Sequence, residues 1–180
     1  ENWCAVVVDA LDDRVNLEAV RLAGGKKKAQ RTMDRLWRDL GLAVEVDDCH
    51  QAAFVTGEAF LIAWPDAAGQ PDAYYNDPRL VHVFYESGNP RQKRLAAKWW
   101  YDDAAGAVRL TLYYRDRLEY YVASDGGPRV GLETVWKLLG RAVNPHGEIP
   151  VFHLRSTRRH KSDLKDALPI QIAINKLVND

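Results

Sequence analysis

The chain has 180 residues, 28% of them charged and 47% hydrophobic, with 25 basic side chains balanced by 25 acidic ones. A chain of this length is expected to form one domain and to bury roughly 70% of its unfolded surface. The zero net charge excludes a broad electrostatic attraction to nucleic acid or to an anionic membrane, and no apolar run approaches the ~20 residues that cross a bilayer.

The first segment, Trp3 to about Leu22, reads as a helix with Cys4, Val7, Val8, Leu11 and Val15 on one side, although the run Val6, Val7, Val8 lowers its propensity. Gly24 and Gly25 end it. Lys26, Lys27 and Lys28 form a solvated approach to a second helix, in which Met33, Leu36, Trp37 and Leu40 recur at i, i+3, i+4 and i+7 and Gly41 supplies the stop. A third helix carries Leu42, Val46, Cys49 and Ala53 on one face and ends near Gly57. Cys4 and Cys49 each lie on an apolar helix face without metal-ligand spacing, so they read as small buried hydrophobes.

From residue 58 the period shortens. EAFLIAWP is a buried-strand signal followed by the turn-rich DAAGQPD, and LVHVFYE, RLAAKWWYD, AVRLTLYYR and RLEYYVA are further strands of an antiparallel meander. In AVRLTLYYR, Val108, Leu110 and Leu112 face one way and Arg109 and Thr111 the other. SDGGPRVG loops out, GLETVWKLLG suggests a short helix, and NPHGEIPVFHLR is a turn leading into one more strand. The last stretch, SDLKDALPIQIAINKLVND, is helical: Ser162 supplies a capping oxygen, Asp163 and Asp166 suit the positive end of a helix, and Pro169 starts a new helix after a short turn. Ala167, Ile170, Ile174 and Leu177 share one stripe, while Ile172 lies nearly opposite and expects a second neighbour. Neither a stop signal at the end nor a methionine at the start is present, so the chain reads as cut at both ends.

The expected class is therefore α+β, with N-terminal helices packed on a mainly antiparallel sheet and a C-terminal helix leading onward. Within a single domain over 1–180, residues 1–57 are mainly helical and 58–124 form antiparallel strands. Residues 125–143 hold a loop and short helix, 144–161 a turn, strand and basic loop, and 162–180 the start of the outgoing helix.

Chemistry is sparse. Asp47, Asp48, Cys49 and His50 are all metal-ligand types, but adjacent helical residues diverge and zinc ligands want three- or four-residue spacing. They read as a solvated acidic face with one buried cysteine. Asp66, Asp72, Glu86 and Lys98 echo the carboxylates and lysine of a magnesium-dependent nuclease, yet Glu119 is followed by Tyr120 and Tyr121 where that pattern needs a nearby lysine. Trp99, Trp100, Tyr113, Tyr114, Tyr120 and Tyr121 alternate with Lys98, Arg109, Arg115 and Arg117, as in sheets that stack single-stranded nucleic acid; adjacent aromatics on a strand must divide between faces, which sends half of them into the core. Arg155, Arg158, Arg159, His160 and Lys161 form the one dense basic run, a candidate contact for a phosphate or acidic partner through Arg155, Arg158, Arg159 and Lys161. His82 and His153 read as half-buried strand residues. No Gly-rich phosphate loop, G-x-S-x-G or Ser/His/Asp set is legible, so no enzyme, cofactor or metal is expected.

Taken in order, ENWCAVVVDALDDRV, LWRDLGL, CHQAAFVTGEAFLIAWPDAAGQP, AAKWWYDD, LTLYYRDRLEYYV, NPHGEIPVFHLR and SDLKDALPIQIAINKLVND resemble the portal proteins of tailed bacteriophages, of the siphophage type also found in prophages. The resemblance covers nearly the whole chain. Its most specific parts are the helix-to-strand step at Gly57, the N-P-x-G-x-[IV]-P-V turn from Asn144 to Val151, and the Ser-Asp-Leu helix ending Asn175, Lys176, Leu177. The chain departs from the family at Arg159, His160 and Lys161, where a glycine is usual, and between Asp125 and Arg141, where no family pattern is visible.

That resemblance implies a structural protein of the virion, assembled in the host bacterial cytoplasm, with no membrane partner. It implies a closed homo-oligomeric ring of about a dozen subunits at the capsid vertex, through which double-stranded DNA is packaged and to which the tail attaches. Terminase, scaffold or major capsid protein, and head-completion proteins would be its partners. The chain would form the wing, its last helix would lead into the stem, and Ile172 would lie at a subunit interface. The competing reading is a nucleic-acid-binding or metal-dependent nuclease domain using the aromatic sheet and the 155–161 run.

Overall fold

A computed structural model describes every residue except 1, 67, 125–129, 132, 157–160 and 180. The described residues form four helices and two antiparallel sheets, the α+β class that the change of period at residue 58 implied. They divide into two compact units, one of Glu1–Asn76 with His153–Asp180 and one of Asp77–Phe152.

In the first unit, α1 (Trp3–Asp12) begins at Asn2, whose side chain accepts the Ala5 N–H at 3.3 Å. It stops at Asp12 rather than near Leu22. Two acids, Asp12 and Asp13, meet the negative end of the helix dipole there, and no basic residue offsets them. The following chain instead bonds to α2 (Lys27–Asp39): Gln30 accepts the Leu22 N–H and donates to the Val20 carbonyl, both at 2.9 Å. Those side-chain bonds replace the intrahelical bonds that the apolar pattern suggested.

The third helix, α3 (Leu42–Thr56), buries Leu42 and Cys49 and ends on Gly57 at φ 93°. The Gly57 N–H closes the helix on the Ala53 carbonyl at 2.8 Å, and the left-handed backbone turns the chain directly into β1 (Glu58–Ala63). A side chain at this φ is strained by roughly 1 kcal/mol or more, so glycine fixes the helix-to-strand step. Strand β1 pairs antiparallel with β2 (Ala73–Asn76) and lies between it and β8 (Val151–Arg155). The turn between β1 and β2 is organised by Asp66, whose carboxylate accepts the N–H groups of Ala68 and Gln70 at 2.8 Å. Helix α3 packs on β1 and β2. Phe60 and Ile62, both 0% exposed, form the centre of this core, and the Phe60 ring stacks on His153 at 4.6 Å.

After consecutive turns at 163–167, α4 (Leu168–Asn179) starts with Pro169 as its second residue, a position where the missing N–H costs nothing. Leu164 joins Cys4 and Val8 in a small cluster with Val7, Phe54 and Ala167 against it. The half-buried side of α4 runs through Ala167, Gln171 and Ile174, not through Ile170 and Leu177, which are 63% and 78% exposed. Gln171 decides this, because its side-chain oxygen accepts the Trp3 N–H at 2.7 Å and turns a polar residue toward α1.

The second unit is one meander in the order β3 (Val81–Glu86), β4 (Asn89–Asp102), β5 (Ala107–Tyr113), β6 (Arg117–Ala123), β7 (Trp136–Val143). The strand β7 replaces the short helix expected from GLETVWKLLG. Tyr120 pairs with Gly140 and Tyr121 with Leu138, so Leu139 is an extra residue at a bulge. That insertion breaks the alternation of apolar residues and leaves a helix-like spacing between Trp136 and Leu139. Register places Val83, Ala96, Tyr113 and Leu118 in one row and Val81, Lys98, Thr111 and Tyr120 in the next on the same face. Thr111 is buried beside Tyr113, so the side of β5 opposite Val108 and Leu110 is as well covered as theirs.

The turn after β7 explains the N-P-x-G pattern. Asn144 is 5% exposed, donates to the Tyr114 and Glu148 carbonyls at 2.9 and 2.7 Å, and accepts the His146 N–H at 3.1 Å. Asn144→Ala would strip partners from two carbonyls and an amide, and we expect it to lower the free energy of unfolding by about 1–3 kcal/mol in a urea titration. Asn144→Asp, which loses both donors, should recover little of that loss.

Candidate partner-binding surfaces

Two serines, Ser156 and Ser162, anchor the chain on either side of the basic run. The Ser156 N–H donates to the Gly57 carbonyl at 2.9 Å, the Ser156 hydroxyl to the Lys161 carbonyl at 3.0 Å, and the Ser162 hydroxyl to the Phe54 carbonyl at 3.3 Å. The Asp163 N–H also donates to Phe54, at 2.9 Å, and the Leu164 N–H returns to the Ser162 hydroxyl at 3.0 Å. Ser162 thus caps a turn that precedes α4 by several residues. The exposed Arg155 and Lys161 are brought to one place at the end of α3; Arg158 and Arg159 lie outside the described residues.

The Asp47–His50 cluster does not converge. Cys49 is 1% exposed whereas Asp47 and Asp48 are exposed, as their successive helical positions require. Burial first, then the charges of Glu45 and Asp48, push the Cys49 thiol up to about 12, so at neutral pH it is a protonated, buried group. Among the described residues no group of three His, Cys, Asp or Glu side chains is arranged around a common point. Asp66 and Asp72 belong to the first unit, Glu86 and Lys98 to the second. Cys4 and Cys49 are both free and buried.

In the meander the cations are turned toward carboxylates. Arg109 pairs with Asp102 at 3.0 Å, and Glu119, 5% exposed, accepts from Arg117 and Arg141 at 3.0 Å and from the Tyr121 hydroxyl at 2.9 Å. Arg117 also covers the Tyr114 ring at 4.2 Å, and Lys98 the Trp100 ring at 5.6 Å. Tyr113 is in the core, and register sends Trp99 and Trp100 to opposite faces. Aromatics and cations here hold the sheet together.

The Glu119 carboxyl lies below its ordinary value of 4.5, chiefly through the Arg117 hydrogen bond, then those of Tyr121 and Arg141. A carboxyl depressed in the folded state stabilises the fold above its ordinary value and loses that contribution as pH falls through the folded one. Melting temperatures of the protein and Glu119→Gln should therefore differ most near neutral pH, and the difference should shrink as pH falls below the ordinary carboxyl value of 4.5 and on through the lower folded one. A gap independent of pH would contradict the ion-pair role.

A third surface is apolar. Four aliphatic side chains of α4, Ile170, Ile172, Leu177 and Val178, are between 63% and 78% exposed, with Ile172 on the side of the helix away from Ile174. Exposed aliphatic side chains at this density along one helix are open to a neighbour. Residues 1–180 in full match the family described as phage portal protein, SPP1 Gp6-like. The chain belongs to that portal family. The resemblance drawn from the order of sequence segments is thereby borne out, and with it a place in the phage capsid, in DNA packaging and at the head–tail connection. The family is structural, a component of the virion. No curated protein matches the chain. No helix among the described residues is long and apolar enough to cross a membrane.

The exposed aliphatic side chains of α4 were legible in the sequence only in part. Ile172 was visible as an apolar residue off the main stripe. The exposure of Ile170 and Leu177 was not, because periodicity marks apolar residues on a helix without saying which of them meet a partner within the chain.

Proposed function

We propose that this portal chain forms the wing of a closed ring of about a dozen copies, joined by heterologous contacts. In this reading α4 leads toward the stem, double-stranded DNA passes through the central channel, and no reaction is catalysed by the chain itself. The observation that carries it is the set of exposed aliphatic side chains on α4, with Ile172 at 65% exposure. Solvent-facing aliphatic side chains of this kind are costly on a lone subunit and useful where other copies cover them.

Arg155, Arg158, Arg159 and Lys161 would then meet an acidic or phosphate-bearing surface of another component of the packaging apparatus: terminase, scaffold or major capsid protein, or a head-completion protein. The turn-anchored base of this run favours a local contact over a broad basic face. Assembly would occur in the host cytoplasm before the virion is complete.

Negative-stain microscopy with native mass on the full-length protein tests the ring. Rings with a central hole and roughly a dozen subunits are expected; a monomer or dimer at high concentration would overturn the reading. Short DNA should bind weakly and without the steep salt dependence of a true binder, and Arg158→Glu with Arg159→Glu should leave that weak binding unchanged.

A further inference from the structure

The first turn of α2 is charged against its own dipole. Lys26, Lys27 and Lys28 follow one another at its N-terminus, Lys26 makes no side-chain capping bond, and the first turn holds no acid. The N-terminal end of a helix is already partly positive, so three ammonium groups there are favourable only beside negative charge. Across residues 26–39 six bases, Lys26, Lys27, Lys28, Arg31, Arg35 and Arg38, stand against two acids. Both acids have neighbours of their own: Asp34 accepts from Gln30 at 2.7 Å, and Asp39 lies 4.0 Å from Arg35. On a chain of zero net charge this is a local excess.

The same helix has an unfilled apolar side. No residue of α2 is buried, although Met33, Leu36 and Trp37 form its apolar stripe. Residues 18–22, tied to the helix through Gln30, cover the edge that carries Trp37 and leave the other edge open. There Leu22, Ala29, Met33 and Leu36 floor a groove of about 540 Å³, with Lys26, Lys28 and Thr32 along it.

We propose that this groove docks an acidic amphipathic helix of another polypeptide, its aliphatic side on Met33 and Leu36 and its carboxylates against Lys26 and Lys28. The charge excess argues for an acidic occupant, and the apolar floor argues for one with aliphatic anchors at i, i+3, i+4 and i+7. The 13 residues of α2 span about 20 Å, room for a partner of three to four turns. A nucleic acid would find no aromatic platform on this floor. The proposal does not depend on ring assembly, so failure of either leaves the other standing.

Two labelled peptides with the same leucine spacing, one bearing glutamate on its polar face and one lysine, are titrated into the protein by fluorescence anisotropy. The glutamate peptide should bind at least about tenfold more tightly at low salt. Lys26→Glu with Lys28→Glu alters two exposed side chains, should not lower the melting temperature, and should reverse the preference. Leu36→Asp should remove binding of both peptides. Equal affinities for the two peptides, or a preference that survives the double substitution, would overturn the proposal. It would also fall if neither peptide binds while phosphatidylserine vesicles do, or if native mass shows self-association that Lys26→Glu with Lys28→Glu abolishes. The occupant would then be a membrane or a second copy of the chain.

Discussion

Phe60→Ala is expected to destabilise the helix-and-sheet unit by about 3–5 kcal/mol. Phe60 is 0% exposed, sits at the centre of β1 and stacks on His153 at 4.6 Å. The cost has two parts, the transfer of the ring out of an apolar setting and the cavity left between α3 and the three-stranded sheet. A third effect adds to these. The His153 Nε2 lies 3.0 Å from a Glu58 carboxylate oxygen, with the histidine side chain 5% exposed. Without the Phe60 ring, that buried pair is open to water on one side. Calorimetry should show the melting transition of the 180-residue chain lowered by about 6–20 °C, and Phe60→Leu, which keeps most of the volume, should recover the greater part. A shift of under about 2 °C for the alanine variant would show that Phe60 does not organise this core.

Ile172→Asp should abolish ring formation in the full-length protein while leaving the melting temperature of the 180-residue chain nearly unchanged. At 65% exposure Ile172 contributes little within one subunit, where surface substitutions stay within about 0.5 kcal/mol. If the side of α4 that carries Ile172 is covered by the next copy, the same substitution puts a carboxylate into an apolar contact and repeats it at every interface of the ring. Ile174→Asp makes the contrast. Ile174 is half-buried on the side of α4 marked by Gln171, which holds the Trp3 N–H, and its substitution should cost about 1–3 kcal/mol in the isolated chain as well as impairing assembly. Native mass and thermal melts on both variants separate the two effects. Equal melting losses, or intact rings for Ile172→Asp, would remove α4 from the interface.

Much of this protein is set by local rules that a sequence exposes. The stop of α3 at Gly57, the start of α4 at Pro169 and the strand pattern from residue 58 follow from backbone chemistry: a left-handed position that favours glycine, an imino acid without a donor, and β-branched and aromatic residues on a pleat. Family membership was legible for the same reason, since glycines, prolines and capping residues keep their order and spacing along the chain. The tertiary structure decided what depends on partners distant in sequence. α1 ended at Asp12 because Gln30 captured the next segment, β7 formed because β6 offered a ladder and a bulge absorbed Leu139, and α4 turned Gln171 inward because Trp3 had an N–H to satisfy. The basic groove on α2 belongs to the same class. Its stripe of Met33, Leu36 and Trp37 was plain in the sequence, but a periodic apolar face states only that something should cover it. The fold covered one edge with residues 18–22 and left the other open, because a hydrogen bond from one glutamine outweighed the helical tendency of the segment before it.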